Sequence, residues 1–409
     1  MKNGVRGFGR RARLRGAALT MGMVGLLATT SPALAQDTRA EVIAQEKAKK
    51  AQALRPYAPG TAERLVTRIG ASLVELPRGL YPAFGSIYPG GGLAAGPAVR
   101  VYHGDESFIE GKALMSMRQY KRAELTSLWP SLAGGRVALR ADIGWLDATQ
   151  VGYFGRGMQT TAAGGANFRM KETYAGAEAR LRPVWPLLLG AALAYEDYST
   201  SGGRGRRPPI QDRFTSDTAP GLGVDPQFVH MAATAAIDTR PAAGYARRGS
   251  LLQAEYHTYQ DRADTFSFDR LDATVVQHVP IFRENWVLSM RGMMQSTLND
   301  NDQVPFFLLP SLGSGSTLRA YPTGRFRDRH ALLLQAEWRW IVNRTGLDLA
   351  LFYDAGKVAD RRSGLDLNGM KSNVGIGVRF HGPAMTPLRV ELARGREGFK
   401  LVFAGGASF

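Results

Sequence analysis

The feature that most constrains this sequence is a period-two alternation of apolar and polar side chains from about residue 80 to the carboxy terminus. It is clearest in four runs of eight to ten residues, namely 136–145, 252–259, 331–340 and 347–356. Because successive side chains of a β-strand point to opposite faces, such runs predict half-buried strands. Turn-forming residues separate them, and no stretch after residue 60 has the apolar spacing of a long amphipathic helix. The sequence therefore predicts an all-β chain.

The apolar face of these strands suits lipid better than a soluble core. Aromatic residues recur near the predicted strand ends, as in the interfacial girdles of membrane barrels: Trp129, Trp145, Trp185, Trp286, Trp338, Trp340 and Tyr353. The opposite face carries charges of both signs, which suits a water-filled lumen. Strands cross a bilayer only as a closed barrel, and at about 20 residues per strand and connection, residues 80–409 accommodate about sixteen of them. We therefore predict a transmembrane antiparallel β-barrel, with a secreted β-sandwich as the alternative fold.

Both ends of the chain indicate export to the outer membrane of a Gram-negative bacterium. The first 36 residues contain no Asp or Glu, and six basic residues precede an apolar run and an Ala-x-Ala sequence that ends at Ala35. This is the organisation of a cleaved signal peptide, which we assign to residues 1–35, and its apolar run is too short for a permanent membrane helix. At the other end, Phe403 and the terminal Phe409 belong to an alternating segment that resembles the C-terminal signal of outer-membrane barrels.

A short arm separates the signal peptide from the predicted barrel. Residues 37–58 are rich in Ala, Lys, Glu and Gln, which favour a helix, and Pro56 and Pro59 end it. Because its apolar face is thin, we interpret residues 36–79 as an exposed, partly helical periplasmic arm; a partner-binding helix is the alternative.

Composition excludes several other classes of protein. The chain has no cysteine, which excludes a disulfide scaffold, cysteine-based zinc sites and thiolate catalysis. Its net charge of +17 falls to +11 without the six basic residues of the signal peptide, which leaves 46 Lys and Arg against 35 Asp and Glu. On an outer-membrane barrel, basic runs such as Arg204, Arg206 and Arg207 suit anionic lipopolysaccharide and lipid headgroups. We therefore expect lipid and lipopolysaccharide contacts and no nucleic-acid partner.

The most specific segment of the chain runs from Pro305 to His330. At its centre is the tetrad Leu318-Arg319-Ala320-Tyr321, within a Gly-rich stretch that contains Gly313, Gly315 and Gly324. This segment resembles the signature of the bacterial surface antigen family, the barrels of outer-membrane assembly factors (BamA/TamA-like) and two-partner-secretion translocators. In that family, Val-Arg-Gly-Phe/Tyr lies at the tip of a long loop folded into the lumen.

Three weaker matches extend the resemblance over residues 80–409. The strand Phe352-Tyr353-Asp354-Ala355-Gly356 resembles the family's aromatic-x-Asp-x-Gly strand. The segments 238–249 and 154–157 are similar to hairpins that these barrels share. The resemblance implies that Arg319 on the loop bonds Asp354. The alternation independently points Asp354 and Glu337 into the lumen, where a guanidinium needs carboxylate partners, so Glu337 is a second candidate.

The sequence departs from the family pattern in two places. Ala320 stands where the family has Gly; if that position requires a left-handed backbone, Ala costs about 1 kcal/mol. In addition, only about 45 residues separate the predicted cleavage site from the barrel. Because a domain usually needs at least ~50 residues, we expect no periplasmic polypeptide-transport-associated (POTRA) domains.

The resemblance implies insertion or translocation of proteins or lipids at the outer membrane, with protein clients or a separate periplasmic partner. A passive or gated channel is the alternative function. It is also an open alternative that the contact of Arg319 only holds a plug loop in place and has no role in transport. An outer-membrane hydrolase is the least favoured hypothesis, because the histidines show no nucleophile–base spacing: His103, His230, His257, His278, His330 and His381. We predict no enzymatic activity, no metal and no cofactor.

Overall fold

The computed structural model describes residues 77–104, 106–282, 285–299, 303–343, 346–382 and 385–409, together with the helical residues 45–47 and 49. The predicted signal peptide at residues 1–35 and most of the predicted arm at residues 36–79 lie outside the described residues. The chain divides into two units, Met1–Pro59 and Gly60–Phe409, and the strands all belong to the second. None of the described helices is long and apolar enough to cross a membrane.

Sixteen strands form one antiparallel sheet, in which each strand pairs with its neighbours in chain order. They are β1 (Gly79–Gly85), β2 (Ala94–Tyr102), β3 (Phe108–Ser116), β4 (Lys121–Leu132), β5 (Val137–Tyr153), β6 (Ala166–Leu181), β7 (Leu187–Gly202), β8 (Gln227–Asp238), β9 (Gly249–Asp261), β10 (Phe268–Phe282), β11 (Trp286–Thr297), β14 (His330–Asn343), β15 (Leu347–Ala359), β16 (Lys371–Phe380), β17 (Leu388–Gly395) and β18 (Gly398–Ala404). Two further strands, β12 (Ser311–Leu312) and β13 (Phe326–Arg327), pair only with each other.

This sheet is a nearly closed barrel, which confirms the predicted sixteen-stranded transmembrane fold. β1 pairs with β2 and β18 pairs with β17, but within the described residues no hydrogen-bonded ladder joins β1 to β18. We call this junction the seam. It leaves two strand edges whose backbone groups have no partner strand.

The alternation read from the sequence corresponds to the two faces of the barrel wall. In β15, Leu351 and Tyr353 are 53% and 48% exposed on the outer face, whereas Phe352 and Asp354 are buried on the inner face. In β14 the buried inner residues include polar and charged ones: Gln335, Glu337 and Arg339. An apolar outer band around a polar interior is the arrangement of a barrel that lies in lipid.

The two ends of the barrel differ in the length of their connections. At one end the turns are short, as at residues 133–136 and 182–186, and β1 begins and β18 ends there. At the other end several connections are long, as at residues 154–165, 203–226 and 298–329. We name these the short-turn end and the long-loop end.

Loops fill the interior at the long-loop end. An aromatic cluster joins Tyr153, Phe168 and Phe228 of the wall to Phe306 and Phe307 of the 298–329 connection, and all five are buried. Phe306 meets Tyr153 and Phe168 edge-on, with ring centroids 5.0 and 4.8 Å apart. Such aromatic pairs contribute about 0.5–1.5 kcal/mol beyond the area they bury, so they help to hold this connection inside the barrel.

A turn also enters the lumen at the short-turn end. The connection at residues 239–248 bends inward, where the Tyr245 hydroxyl donates to Asp348 Oδ2 at 2.8 Å. The Tyr245 ring stacks on His381 with centroids 3.9 Å apart, and the Gly244 carbonyl accepts from Thr386 Oγ at 3.1 Å. This turn therefore contacts the wall several strands away from its own.

The predicted C-terminal signal is divided between the two faces of the barrel. Phe403 stands on the outer face and is 60% exposed. β18 ends at Ala404, and Gly406 has φ +83°, which ends the extended run. The terminal Phe409 consequently packs inside the barrel against the cluster formed by Ala236, Leu251 and Val276.

Candidate functional site

The connection at residues 298–329, which we name the inserted loop, carries the sequence signature into the lumen. Its short strands β12 and β13 pair Ser311 with Arg327 and Leu312 with Phe326, so residues 311–327 form a hairpin. Buried apolar residues of the hairpin pack against the inner face of β14 and β15. The predicted long loop folded into the lumen is therefore present.

The predicted glycines allow close approach within this hairpin. Gly313 has φ +102°, and a Cβ there would lie 2.2 Å from the Pro322 carbonyl oxygen. Gly324 has φ +65°, and its N–H donates to the Gly313 carbonyl at 2.9 Å. A Cβ on Gly315 would lie 2.8 Å from a methyl carbon of Val402 on β18. Two of the three positions therefore require a conformation that glycine adopts without strain, and the third brings the loop against the last strand.

Arg319 of the inserted loop is fully enclosed, with only 1% of its surface exposed. Its Nε and Nη2 donate to the two carboxylate oxygens of Asp354 at 2.9 and 2.7 Å, which is bidentate geometry. Its Nη1 donates to Glu391 at 2.9 Å and to Glu337 at 3.2 Å. The loop arginine, Asp354 and Glu337 named from the sequence thus lie together, with Glu391 in addition.

The barrel wall supplies both the charges and the surface that receive Arg319. Asp354 and Glu337 project from the inner faces of β15 and β14, and Phe352 is opposite Glu337 in the ladder and two residues before Asp354. The Arg319 guanidinium carbon sits 3.5 Å from the centroid of the Phe352 ring. Burial by itself lowers the pKa of Arg319, but the hydrogen bonds and charge of Asp354, followed by the charges of Glu391 and Glu337, raise that pKa above its usual value. The guanidinium therefore stays charged although it is buried.

Three further residues extend this ion cluster and were not expected from the sequence. Glu391 on β17 also accepts from Arg379 at 2.7 Å and from Arg389 at 2.5 Å. Arg389 donates in addition to the Gly315 carbonyl of the inserted loop at 2.8 Å, and Arg379 donates to Ser408 of the C-terminal tail at 2.6 Å. The cluster therefore joins the loop, the four strands β14 to β17 and the tail. Its charges largely cancel, which offsets the cost of burying them.

The other members of the tetrad fill the space around Arg319. Leu318, Ala320 and Tyr321 are all buried, and the Tyr321 hydroxyl donates to the Ser372 carbonyl at 3.2 Å. Ala320 has no positive φ, so the strain considered for an Ala at this position does not arise. A Cβ on Gly395 of β17 would lie only 3.0 Å from the Ala320 Cβ. The glycine on the wall therefore makes room for the methyl group on the loop.

The 154–157 match also lies against the inserted loop. The N–H of Gly157 donates to the Arg327 carbonyl at 2.8 Å, and Arg325 donates to Thr160 Oγ at 2.7 Å. The Arg325 guanidinium lies 5.1 Å from the centroid of the Phe154 ring. This connection therefore fixes the outer part of the hairpin, whereas the Arg319 cluster fixes its tip.

The histidines form contacts that the linear spacing did not reveal. His278 Nδ1 lies 2.8 Å from Ser289 Oγ, and His330 Nδ1 lies 2.8 Å from Ser296 Oγ. Both pairs are direct cross-strand neighbours, and neither serine is more than 1% exposed. Among the described contacts neither histidine has a carboxylate hydrogen-bond partner to orient it, as a nucleophile–base–orienter set requires. His257 instead contacts His230 at 3.0 Å.

Comparison with known proteins agrees with this geometry. A family model described as the Omp85 superfamily domain matches residues 119–404. The chain is similar to BamA from Haemophilus ducreyi lacking POTRA domains 1–3, with a TM-score of 0.58 and 15% identity over 80% of this chain and 70% of that one. It is also similar to CdiB from Acinetobacter baumannii, with a TM-score of 0.51 and 9% identity. That match covers 80% of this chain and 58% of CdiB, which is less than two thirds of the length of CdiB. No curated protein sequence gives a significant match. At these identities the structural matches indicate a shared fold.

Proposed function

Because the chain belongs to the Omp85 superfamily, we propose that it inserts or translocates proteins, or lipids, at the outer membrane of a Gram-negative bacterium. The observation that carries this proposal is a loop arginine docked on the inner wall of a barrel whose first and last strands, as far as the structure describes them, are not paired with each other. Outer-membrane barrels have short periplasmic turns and longer extracellular loops, so we place the short-turn end in the periplasm and the long-loop end on the outside.

The seam gives this proposal a physical basis. The free edges of β1 and β18 carry backbone N–H and C=O groups that need partners in a lipid environment. An incoming strand of a client protein satisfies them by adding to the edge. The inserted loop contacts the wall beside this edge, β14 to β18. Arg319 of the loop bonds carboxylates of this wall, and Gly315 of the loop lies against β18 and accepts from Arg389 of β17. The docked loop therefore supports the wall on one side of the seam.

The partners that we propose follow from this location. Protein clients and a separate periplasmic partner approach the short-turn end, and lipid contacts the apolar outer face. Lipopolysaccharide meets exposed basic loop residues such as Arg204 and Arg206. We propose no nucleic-acid partner and no cofactor. We also propose no enzymatic activity, because the two serine–histidine pairs are buried and have no carboxylate hydrogen-bond partner among the described contacts.

Reconstitution of the full chain tests the proposal. An unfolded outer-membrane barrel client is added to phosphatidylcholine vesicles with and without the protein, and its folding is followed by its heat-modifiable migration on gels. We expect faster client folding with the wild type than in empty vesicles, and a loss of this gain in the Arg319→Ala variant. The matched control is Arg204→Ala, an exposed arginine outside the cluster. Equal folding in wild-type and empty vesicles would contradict the proposal.

A further inference from the structure

Exposed basic side chains surround the long-loop end of the strands on both sides of the seam. We call them the basic rim: Arg118, Lys121, Lys171, Arg394 and Arg396. Lys121 is paired with Asp147 in the ladder, and Asp147 with Lys171, so these three share one face of the wall. It is the outer face, because Leu125 has the same parity as Lys121 and is 49% exposed.

The two carboxylates within this region are already paired with other residues. Asp147 accepts from Nε and Nη2 of Arg169 at 2.8 and 2.6 Å, although it lies between two lysines of the rim. Glu397 accepts from Arg325 Nε at 2.8 Å, although it is adjacent to Arg396. Across the part of the chain that the structure describes, no ion pair includes a rim residue. None of the five rim charges is therefore neutralised by an ion pair with a carboxylate of the described residues.

Exposed apolar side chains lie directly beside the rim residues, and others follow toward the membrane on the same strands, as at Leu125 and Leu392. Met115 of β3 pairs with Lys121 and is 58% exposed. On the other side of the seam, Phe399 is 68% exposed and pairs with Arg394, whose guanidinium lies 5.2 Å from its ring centroid. At the opposite ends of these strands the outer residues are apolar, as at Ile109 and Phe403. On these strands, the outer face therefore combines exposed basic and apolar side chains only at the long-loop end, so this pattern distinguishes one leaflet of the membrane from the other.

The connections near the seam keep these charges at the level of the strand ends. β3 and β4 are joined by residues 117–120, and β17 and β18 by residues 396–397. Neither connection is long enough to carry a side chain far from the membrane surface. The rim charges therefore lie where the phosphate groups of lipid headgroups lie.

We propose that the basic rim binds the phosphate groups of the outer-leaflet lipid, lipopolysaccharide, while its acyl chains lie on the apolar wall below. Lys and Arg side chains form charge-assisted hydrogen bonds with phosphate, and several converging cations strengthen the attraction. This inference rests on the proposed outer-membrane location and orientation. It places anionic lipid beside the seam, where a client strand would leave the barrel.

A binding titration tests the rim. The full chain is reconstituted in phosphatidylcholine nanodiscs and titrated with fluorescent lipopolysaccharide, for the wild type and for Lys121→Gln, Lys171→Gln, Arg394→Gln and Arg396→Gln combined. The matched control combines four exposed bases at the short-turn end, which the proposed orientation places away from lipopolysaccharide: Arg78→Gln, Arg136→Gln, Arg180→Gln and Arg182→Gln. Because each basic residue near a membrane surface contributes about 1 kcal/mol, we expect at least tenfold weaker binding for the rim variant. We expect near wild-type binding for the control.

The result that overturns the inference is equal weakening by the two sets, which indicates attraction by net charge alone, or no weakening by the rim set. A rim variant with Lys→Arg at positions 121 and 171 retains its charges and should bind as the wild type does. Client insertion is measured separately in phosphatidylcholine vesicles that contain no lipopolysaccharide. Failure of the wild type there contradicts the proposed function, whereas the titration alone decides the lipid site.

Discussion

Replacement of Arg319 by Ala removes the four side-chain hydrogen bonds that hold the tip of the inserted loop to β14, β15 and β17. The three carboxylates that accept these bonds are at most 2% exposed, so water does not replace the lost partner. Removal of one member of a buried ion pair costs about 3–5 kcal/mol. Arg379 and Arg389 remain beside Glu391, so we expect a loss of loop docking near the lower limit, about 3 kcal/mol.

The absence of cysteine in the chain gives a direct assay for this loss. Ser314 lies in the hairpin and is 8% exposed, so a Ser314→Cys thiol reacts with a maleimide only when the loop leaves the wall. A loss of about 3 kcal/mol raises the open fraction roughly 100-fold, since 1.4 kcal/mol corresponds to a factor of ten. We therefore expect the labelling rate of Ser314→Cys to rise by about that factor when Arg319→Ala is added.

The control for this experiment is Arg204→Ala in the same Ser314→Cys background, which removes an exposed arginine and should leave the labelling rate unchanged. An unchanged labelling rate in Arg319→Ala would refute the reasoning. It would mean that the aromatic and backbone contacts of the inserted loop hold the hairpin without the ion cluster.

Three other predictions concern the same loop. Glu391→Gln should also speed Ser314→Cys labelling, because Glu391 accepts from three arginines, but less than Arg319→Ala does, because Asp354 keeps its bidentate partner; an effect as large as that of Arg319→Ala would contradict this order. Gly395→Val should lower the thermal stability of the barrel, measured by heat-modifiable migration, because a Cβ there would lie 3.0 Å from Ala320 and 3.2 Å from the Tyr321 ring. Ala320→Gly should restore part of that stability, and no restoration would contradict the proposed fit between the two positions. Deletion of residues 313–328 should change a small, flickering single-channel conductance into a larger one, whereas a large conductance that the deletion does not alter would favour a passive channel.

The fold was accessible from the sequence because a barrel strand has only two faces. Period-two alternation is a local property, so it identifies the strands and their outer sides without knowledge of their partners. The same property placed Asp354 and Glu337 inside the barrel. The resemblance to the surface antigen family added the loop, and only the combination pointed to the contact between Arg319 and Asp354.

The missed parts of the site depend on register and on the path of the chain through the lumen. Glu391 follows the same alternation, since Val390 and Leu392 flank it, but its contact with Arg319 spans 72 residues. The serine–histidine contacts arise from the cross-strand pairing of His278 with Ser289, which no linear spacing encodes. Tyr245 lies in a turn that reads as an ordinary surface connection, yet the turn bends inward to Asp348.

Ala320 shows how a departure from a family pattern is accommodated at a distance in the sequence. Considered alone, the residue raises the question of a strained backbone, which only a dihedral angle answers. Its φ is not positive, and the wall carries Gly395 beside it, where a Cβ would lie 3.0 Å from the Ala320 methyl group. The loop tip therefore stays docked because the extra methyl group of Ala320 on the loop is matched by the missing side chain of Gly395 on the wall.

The central claim is that the docked loop supports a barrel that inserts client proteins. The most direct test is the rate of client folding in vesicles that contain Asp354→Asn, a substitution of similar size that removes the charge opposite Arg319. Ser314→Cys labelling first establishes that the loop is released, and heat-modifiable migration establishes that the barrel itself is folded. We predict that the rate then falls to that of empty vesicles. A wild-type rate of client folding with the loop released would contradict the claim.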